Sequence, residues 1–546
     1  MKPTEHSCEH ETHKVFNQSV PLENYNLLTT DPALKDLLQS SQAEWGLELV
    51  KQLGQTLGKS EWIKKGFQIN EHTPKFNSHD TRGHRIDEVD FHPAYHELMQ
   101  LAFEYQIPTL PWRQDKQGAH KVRMALNYLY NQNEAGSACP LTMTFAAFPV
   151  LGKNPFTEHL QQQILNSKYD PANRPLNQKD AATLGMAMTE KQGGTDVRAN
   201  TSFADPLDDE RQAFSITGHK WFCSAPMCDA FLTLAQTEQG LSCFLLPRWK
   251  PGGSKNGMLV QRLKNKMGNR SNASSEVEFR NAYAQLLGEE GRGVAVIIEM
   301  VALTRYDCMI GSSALMRQAL VQVIHHCSQR KVFGKTLIDQ PLMQNVMADL
   351  CLESEASLMM TARVADALDN GESDLVRLMT AVGKYWICKR ASSFIGEAQE
   401  CLGGLGYIED SILSRLYREA PVNSIWEGSG NVQCLDVLRA LHKEPESLAA
   451  FMDELQSASG INDDYDAYLQ ALTTELPQIN ESQARFYVER LGKAMAACQL
   501  LKQSPEFVAN AYIESRLKRA RGLNYGCLSD DIDLMSVINR SFIAPN

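Results

Sequence analysis

Residues Ala187–Ala199 read AMTEKQGGTDVRA. Small residues, hydroxyls and a glycine pair meet here, at the point where a helical pattern gives way to short apolar runs. Such a loop lets backbone N–H groups approach a ring edge or a phosphate, with Thr189 and Thr195 adding hydroxyls. Downstream, to about Gly293, runs such as FSITGHKWFCS, AFLTLAQ, LSCFLLP and SSEVEFR are rich in Phe, Val and Thr and are separated by Gly, Asn and Asp, so they predict a β domain over 185–293. Upstream, EWGLELVKQLG and PAYHELMQLAFEY carry helical periodicity, which predicts a mostly helical N-terminal domain over 1–184.

After GEEGRG the helical period returns, with Met316, Leu320, Val323 and Cys327 on one face, and predicts a helical bundle over 294–445. HKEPESLAAF marks a boundary, and Val488, Leu491, Met495, Cys498 and Leu501 open a further helical unit, 446–546. The fold class is therefore α+β. The last unit is negative overall, yet Arg516, Lys518, Arg519 and Arg521 crowd into six residues.

Composition narrows the function. Of 546 residues, 43% are apolar and 22% charged, and 54 basic against 65 acidic residues leave a net charge of −11. That balance belongs to a globular chain and argues against default binding to nucleic acid or membrane. No apolar run approaches a membrane span, and the polar start MKPTEHSCEHETHK is no secretory signal, so a cytoplasmic location is expected. The 13 cysteines lack any C-x-x-C pair and predict reduced core thiols. His6, Cys8, His10 and His13 read as a polar tail rather than a metal site, and no metal is expected. GQTLGKS, Gly54–Ser60, is one residue short of a P-loop, and no Rossmann G-x-G-x-x-G is present.

The loop AMTEKQGGTDVRA resembles, without a mismatch, the first signature of the acyl-CoA dehydrogenase family. GHKWFCSAP, Gly218–Pro226, is similar to that family's second flavin strand, with Phe222 at the ring-packing position and Ser224 where a hydroxyl faces the flavin N5 edge. TRYDCMIGSSALMRQALVQVIHHCSQRKVFGKTL resembles the family segment that supplies Arg305, Arg330 and Phe333, the last two reaching a cofactor across a subunit contact. ECLGGLGYIEDSILSRLYRE fits the second signature, with Glu400 where many members have Gln, and NSIWEGSGNVQCLDVLR resembles the stretch that carries the base, here Glu427.

The resemblance implies a middle β-sandwich or barrel between helical domains, FAD, a homotetramer and an acyl-CoA substrate. Glu427 and Arg305 are its catalytic residues. Its cofactor set is Met186, Ala187, Met188, Thr189, Gly194, Thr195, Phe222, Cys223, Ser224, Arg330, Phe333, Ile425, Trp426, Gly428, Ser429, Gly430 and Asn431. Chemically, a carboxylate removes the α-proton of a thioester while the β-hydrogen leaves as hydride. Trp426 replaces the usual Tyr and should reshape the acyl pocket.

Several further stretches, among them THKVFNQSVPLENYNL, MGNRSNAS and LYREAPVNSIWEGSGN, are similar to the family's AidB subgroup of bacterial alkylation-response flavoproteins. That likeness adds a small alkylating molecule as a second class of substrate. It also adds double-stranded DNA as a partner, held through Arg439, Arg516, Lys518, Arg519 and Arg521 by phosphate neutralisation. Three activities stay open: dehydrogenation of a short or branched acyl-CoA, DNA-associated protection against alkylation, and a flavin oxidase of a small nitrogenous or acyl substrate with no DNA role.

Overall fold

The computed structural model describes residues 12–476, 479–518 and 522–545. His6, Cys8 and His10, and the candidate DNA residues Arg519 and Arg521, lie outside them.

Among the described residues eight α-helices build the N-terminal part, beginning at Pro32–Gln39, where the Asp31 carboxylate accepts from the Leu34 amide and Pro32 occupies the first helical position. The helix Leu47–Leu57 turns Val50, Leu53 and Leu57 inward against the almost wholly buried helix Ala119–Asn133. Between helices, Lys75–His79 and Arg85–Asp90 form an antiparallel ribbon that the helical reading of this region did not anticipate. Its turn is fixed by the Asp80 carboxylate, which accepts from the Arg82 and His84 amides, and by Gly83 at φ +89°. The ribbon leans on the middle domain, where Arg85 donates to the Val260 carbonyl at 2.5 Å.

The middle domain is one seven-stranded sheet. Strand order runs Leu184–Ala187, Ala230–Thr237, Phe203–Pro206, Ala213–Ser224, Ser274–Leu287, Gly240–Pro247, with Met258–Leu263 beside Ser274–Leu287. Ala230–Thr237 also pairs with Gly240–Pro247, which closes five of the strands on themselves and leaves Leu184–Ala187 and Met258–Leu263 paired on one side only. Phe214, Phe231, Phe244, Val277 and Phe279 fill the interior.

Gly293–Cys327 is a 35-residue helix buried on nearly all sides and is the axis of a bundle with Pro341–Asp369, Ser373–Cys401, Ile412–Asn423 and Gly430–Lys443. The hairpin at its end turns through Phe333 and Gly334, both at positive φ. Beyond Pro445 the helices Pro445–Gln456, Asp463–Glu475, Ala484–Gln503 and Glu506–Ile513 share one hydrophobic core with the bundle and the N-terminal helices. Among the described residues no helix is long and apolar enough to cross a membrane, no cluster of three metal-binding side chains occurs, and every cysteine is a free thiol.

Candidate active site

The glycine-rich loop leaves the end of strand Leu184–Ala187. Its carbonyls are held from the protein side: Ala187 O accepts from Thr233 Oγ1 at 2.6 Å, Met188 O from Asn200 Nδ2 at 3.0 Å and Thr189 O from the Trp221 amide at 2.8 Å. Gly194 is bare because a Cβ there would stand 2.4 Å from Thr189 Oγ1. Met186, Met188 and Thr189 are half-buried and Thr195 is exposed.

Beneath the loop sits an ion pair that sequence reasoning missed. Glu190 Oε1 and Lys220 Nζ are 2.9 Å apart with both side chains fully buried. Burial alone would raise the Glu190 pKa, but the Lys220 ammonium and donors on Thr201 and Ser202 hold it well below the usual range. A fully satisfied buried pair of this kind makes the loop rigid.

Strand Ala213–Ser224 breaks register between Lys220 and Cys223. Phe222 is left 50% exposed, with the Lys264 ammonium 4.6 Å from its ring centroid. Cys223 needs correction as a cofactor residue: its side chain is fully buried in the sheet core because successive strand residues face opposite ways, and its carbonyl is taken by Ser275 Oγ at 2.8 Å. Ser224 stands opposite Ser274, their hydroxyl oxygens 3.3 Å apart. Ser274 accepts from Lys266 Nζ at 2.8 Å, and burial pushes the Lys266 ammonium down to about 8.

The stretch after helix Ile412–Asn423 carries Glu427, which has φ +58°, followed by Gly428 at +95°. A left-handed non-glycine residue costs about 1–3 kcal/mol and persists only when its surroundings impose it. Here the carbonyls of Trp426, Glu427 and Gly428 are all clamped. Lys384 Nζ donates to Trp426 O at 2.8 Å and to Gly428 O at 2.5 Å. Arg305 Nε donates to Glu427 O at 2.9 Å, and Gln433 Nε2 to Glu427 O and Gly428 O at 3.1 and 3.0 Å. Trp426 is pinned through Nε1 to Asn423 Oδ1.

The Glu427 carboxyl is thereby presented with Oε2 shut from solvent and without a hydrogen-bond partner. Burial raises its pKa, against smaller opposing pulls from the Thr304 hydroxyl, Lys384 and Arg305. This corrects the catalytic role expected of Arg305: its guanidinium touches the peptide of Glu427 and the Asp436 carboxylate, so it is a positioning residue. Ile425, Ser429 and Asn431 are exposed, and Gly430 opens the helix Gly430–Lys443. A lone lysine inside the apolar run AVGKYWIC was the one sequence signal for Lys384.

The Arg330 and Phe333 pair stands elsewhere. About 33 Å of helix, at 1.5 Å per residue, separates Arg305 from Cys327, beyond which both lie. Arg330 donates to Asn17 O, and Phe333 is 96% exposed. Within one chain they do not join the Glu427 site.

The expected DNA residues also divide. Arg439 is 66% exposed on Gly430–Lys443. Arg516 is corrected: its side chain is only 14% exposed and pairs with Asp349 and Glu353, which Arg390 also holds. A guanidinium already committed to two buried carboxylates is not available to a phosphate. Lys518 pairs with Asp464 at 2.8 Å.

Comparison with known proteins agrees with this geometry. Residues 17–171 match the model of the adaptive response protein AidB N-terminal domain, 185–282 that of the acyl-CoA dehydrogenase middle domain, and 291–442 that of the acyl-CoA dehydrogenase C-terminal domain. The chain is 42% identical over 521 residues to the putative acyl-CoA dehydrogenase AidB of Escherichia coli, covering 94% of this chain and 96% of that one. It is 31% identical to acyl-CoA dehydrogenase family member 11 of Caenorhabditis elegans over 73% of this chain and 68% of that one. Among solved structures, Caenorhabditis elegans ACDH-11 in complex with C11-CoA superposes with a TM-score of 0.83 at 25% identity, covering 98% of this chain and 93% of that one.

Proposed function

The chain belongs to the acyl-CoA dehydrogenase family of FAD-dependent oxidoreductases, on its AidB side, and from that premise we propose that it removes hydrogen across the α,β bond of a short or branched acyl-CoA, with Glu427 as the base. The observation that carries this reading is the Glu427 carboxyl, enclosed, unpartnered at Oε2 and held in a left-handed conformation by three side chains.

The residues present fit a flavin: a bare glycine loop, the half-exposed Phe222 ring and the Ser224 hydroxyl. When bound, the flavin supplies the acceptor for the β-hydride. Glu427 takes the α-proton onto its carboxylate, and its raised pKa makes it a stronger base than an exposed glutamate. Lys384, Arg305 and Gln433 keep the peptide from moving as that proton arrives. The remote positions of Arg330 and Phe333 support a homotetramer, in which a second copy carries them to the cofactor.

Anaerobic titration with isovaleryl-CoA, and separately with C11-CoA, tests the reading. Bleaching of the bound flavin, lost in Glu427→Gln, is the expected result; failure of every thioester to bleach it overturns the assignment. Peroxide released with a small nitrogenous substrate would point instead to an oxidase.

A second reading, duplex DNA binding linked to alkylation protection, is supported by the exposed Arg439. Salt-sensitive duplex binding that falls in Arg439→Ala is its test.

A further inference from the structure

We propose that Lys266 acts through Ser274 to set the direction in which Ser224 presents its hydroxyl proton, and thereby raises the electron affinity of the flavin that Ser224 meets. The inference rests on the reading above that Ser224 lies at the isoalloxazine edge.

The argument is one of donor and acceptor counting. An ammonium group can only donate. Lys266 Nζ spends its donors on Asn272 O at 2.5 Å and Ser274 Oγ at 2.8 Å. Ser274, having accepted, turns its own proton to Ser224 Oγ, its cross-strand partner 3.3 Å away. Ser224 then keeps its proton off Ser274 and can turn it outward, toward an acceptor in the site, with the Cys139 sulfur as the competing acceptor inside the protein. The thiol of Cys139 stands beside Ser224: burial pushes it up to about 11, against lowering by Lys266 and the Ser224 hydroxyl, and Glu427 raises it further. The chain therefore runs from the sheet to the neighbourhood of the base.

The polarity of the chain is reversible. A neutral Lys266 amine carries a lone pair and can accept from Ser274, after which Ser224 donates inward and offers the site only lone pairs. Facing Lys266 are Cys139 from helix Ala138–Gly152, Glu134 at the end of helix Ala119–Asn133 and Glu419 from helix Ile412–Asn423, all three of which favour its charged form. Burial outweighs them and brings the group down to about 8. A positive charge and an outward donor both favour incoming electrons, so losing them lowers the potential.

The experiment uses the FAD-loaded protein and equilibrates its flavin with reference dyes from about pH 6 to about pH 10. No thioester is needed, so a protein that ignores every acyl-CoA still reports on the relay. In the wild type the potential is expected to bend away from the ordinary pH slope near the Lys266 pKa. Lys266→Met should lower the potential and remove the bend, and Lys266→Arg should restore a high potential while carrying the bend out of range. Ser274→Ala keeps the lysine's charge but breaks the relay, so it should lower the potential by less than Lys266→Met and shrink the bend, which guards against a variant that fails to fold. Wild-type potential and pH profile in both Lys266→Met and Ser274→Ala overturn the proposal.

Discussion

The Arg305 guanidinium lies 2.9 Å from the carbonyl oxygen of Glu427, so its hydrogen bond goes to the peptide that carries the base, and its charge exerts only a smaller pull on the carboxylate. Its second contact, 2.8 Å to Asp436, ties that peptide to helix Gly430–Lys443. Arg305→Met should therefore lower kcat by about 100-fold while leaving KM nearly unchanged, because a displacement of about 1 Å at a reacting group costs that much. Steady-state kinetics with an acyl-CoA check it, and equal losses in kcat and binding would count against the positioning role.

Glu427 gives a pH prediction with a definite sign. Its pKa is raised by burial, so the basic form is lost at a higher pH than for an exposed glutamate, and the acid limb of kcat/KM should lie above the usual carboxylate range. The same shift means that folding favours the protonated carboxyl; the stability it contributes is present at low pH and lost as pH rises through the raised value. Glu427→Gln, which cannot ionise, should flatten that part of the stability profile and reduce turnover by about 10³-fold or more. Urea midpoints measured at acid and neutral pH read the first effect and single-turnover reduction reads the second.

Much of this site was legible because its signals are local. The bare loop around Gly193 and Gly194, the strand of Phe222 and Ser224, and Glu427 beside Gly428 announce themselves within a few residues. The ribbon Lys75–His79 and Arg85–Asp90 was hidden because its sequence is charged and poor in strand formers, and its turn chemistry at Asp80 and Gly83 is what makes it. Clamps such as Lys384 and Gln433 act on backbone carbonyls some 40 residues away or 5 and 6 residues away, and no pattern of residue types names those targets. Arg305 was legible as important, but its target was not.

The Glu190–Lys220 pair should be a structural keystone of the loop. Glu190→Gln leaves a fully buried ammonium without its counter-charge and should cost about 3–5 kcal/mol, with loss of bound flavin. Replacing both by leucine removes the unpaired charge but should recover only part of the stability and none of the flavin affinity, since the donors on Thr201 and Ser202 lose their acceptor. Chemical denaturation and flavin content together distinguish the two outcomes. Because the Glu190 pKa is held low, its stabilisation is present above the ordinary carboxylate value and disappears as pH falls through the depressed one.

Arg516 shows why a basic run is not by itself a phosphate site. RLKRAR looks solvated in sequence, yet its first arginine reaches across to Asp349 and Glu353 on helix Pro341–Asp369, where Arg390 completes the network. Arg516→Ala should strip two buried carboxylates of their shared cation and destabilise the protein by about 3–5 kcal/mol. Any fall in duplex binding by that variant would then accompany unfolding. Arg439→Ala removes an exposed guanidinium paired only at 4.0 Å with Glu444, and should leave the urea midpoint in place. If duplex binding depends on this face, Arg439→Ala alone should weaken it and reduce its salt slope by about one. Unchanged binding and slope in a fully folded Arg439→Ala would remove Arg439 from the DNA interface.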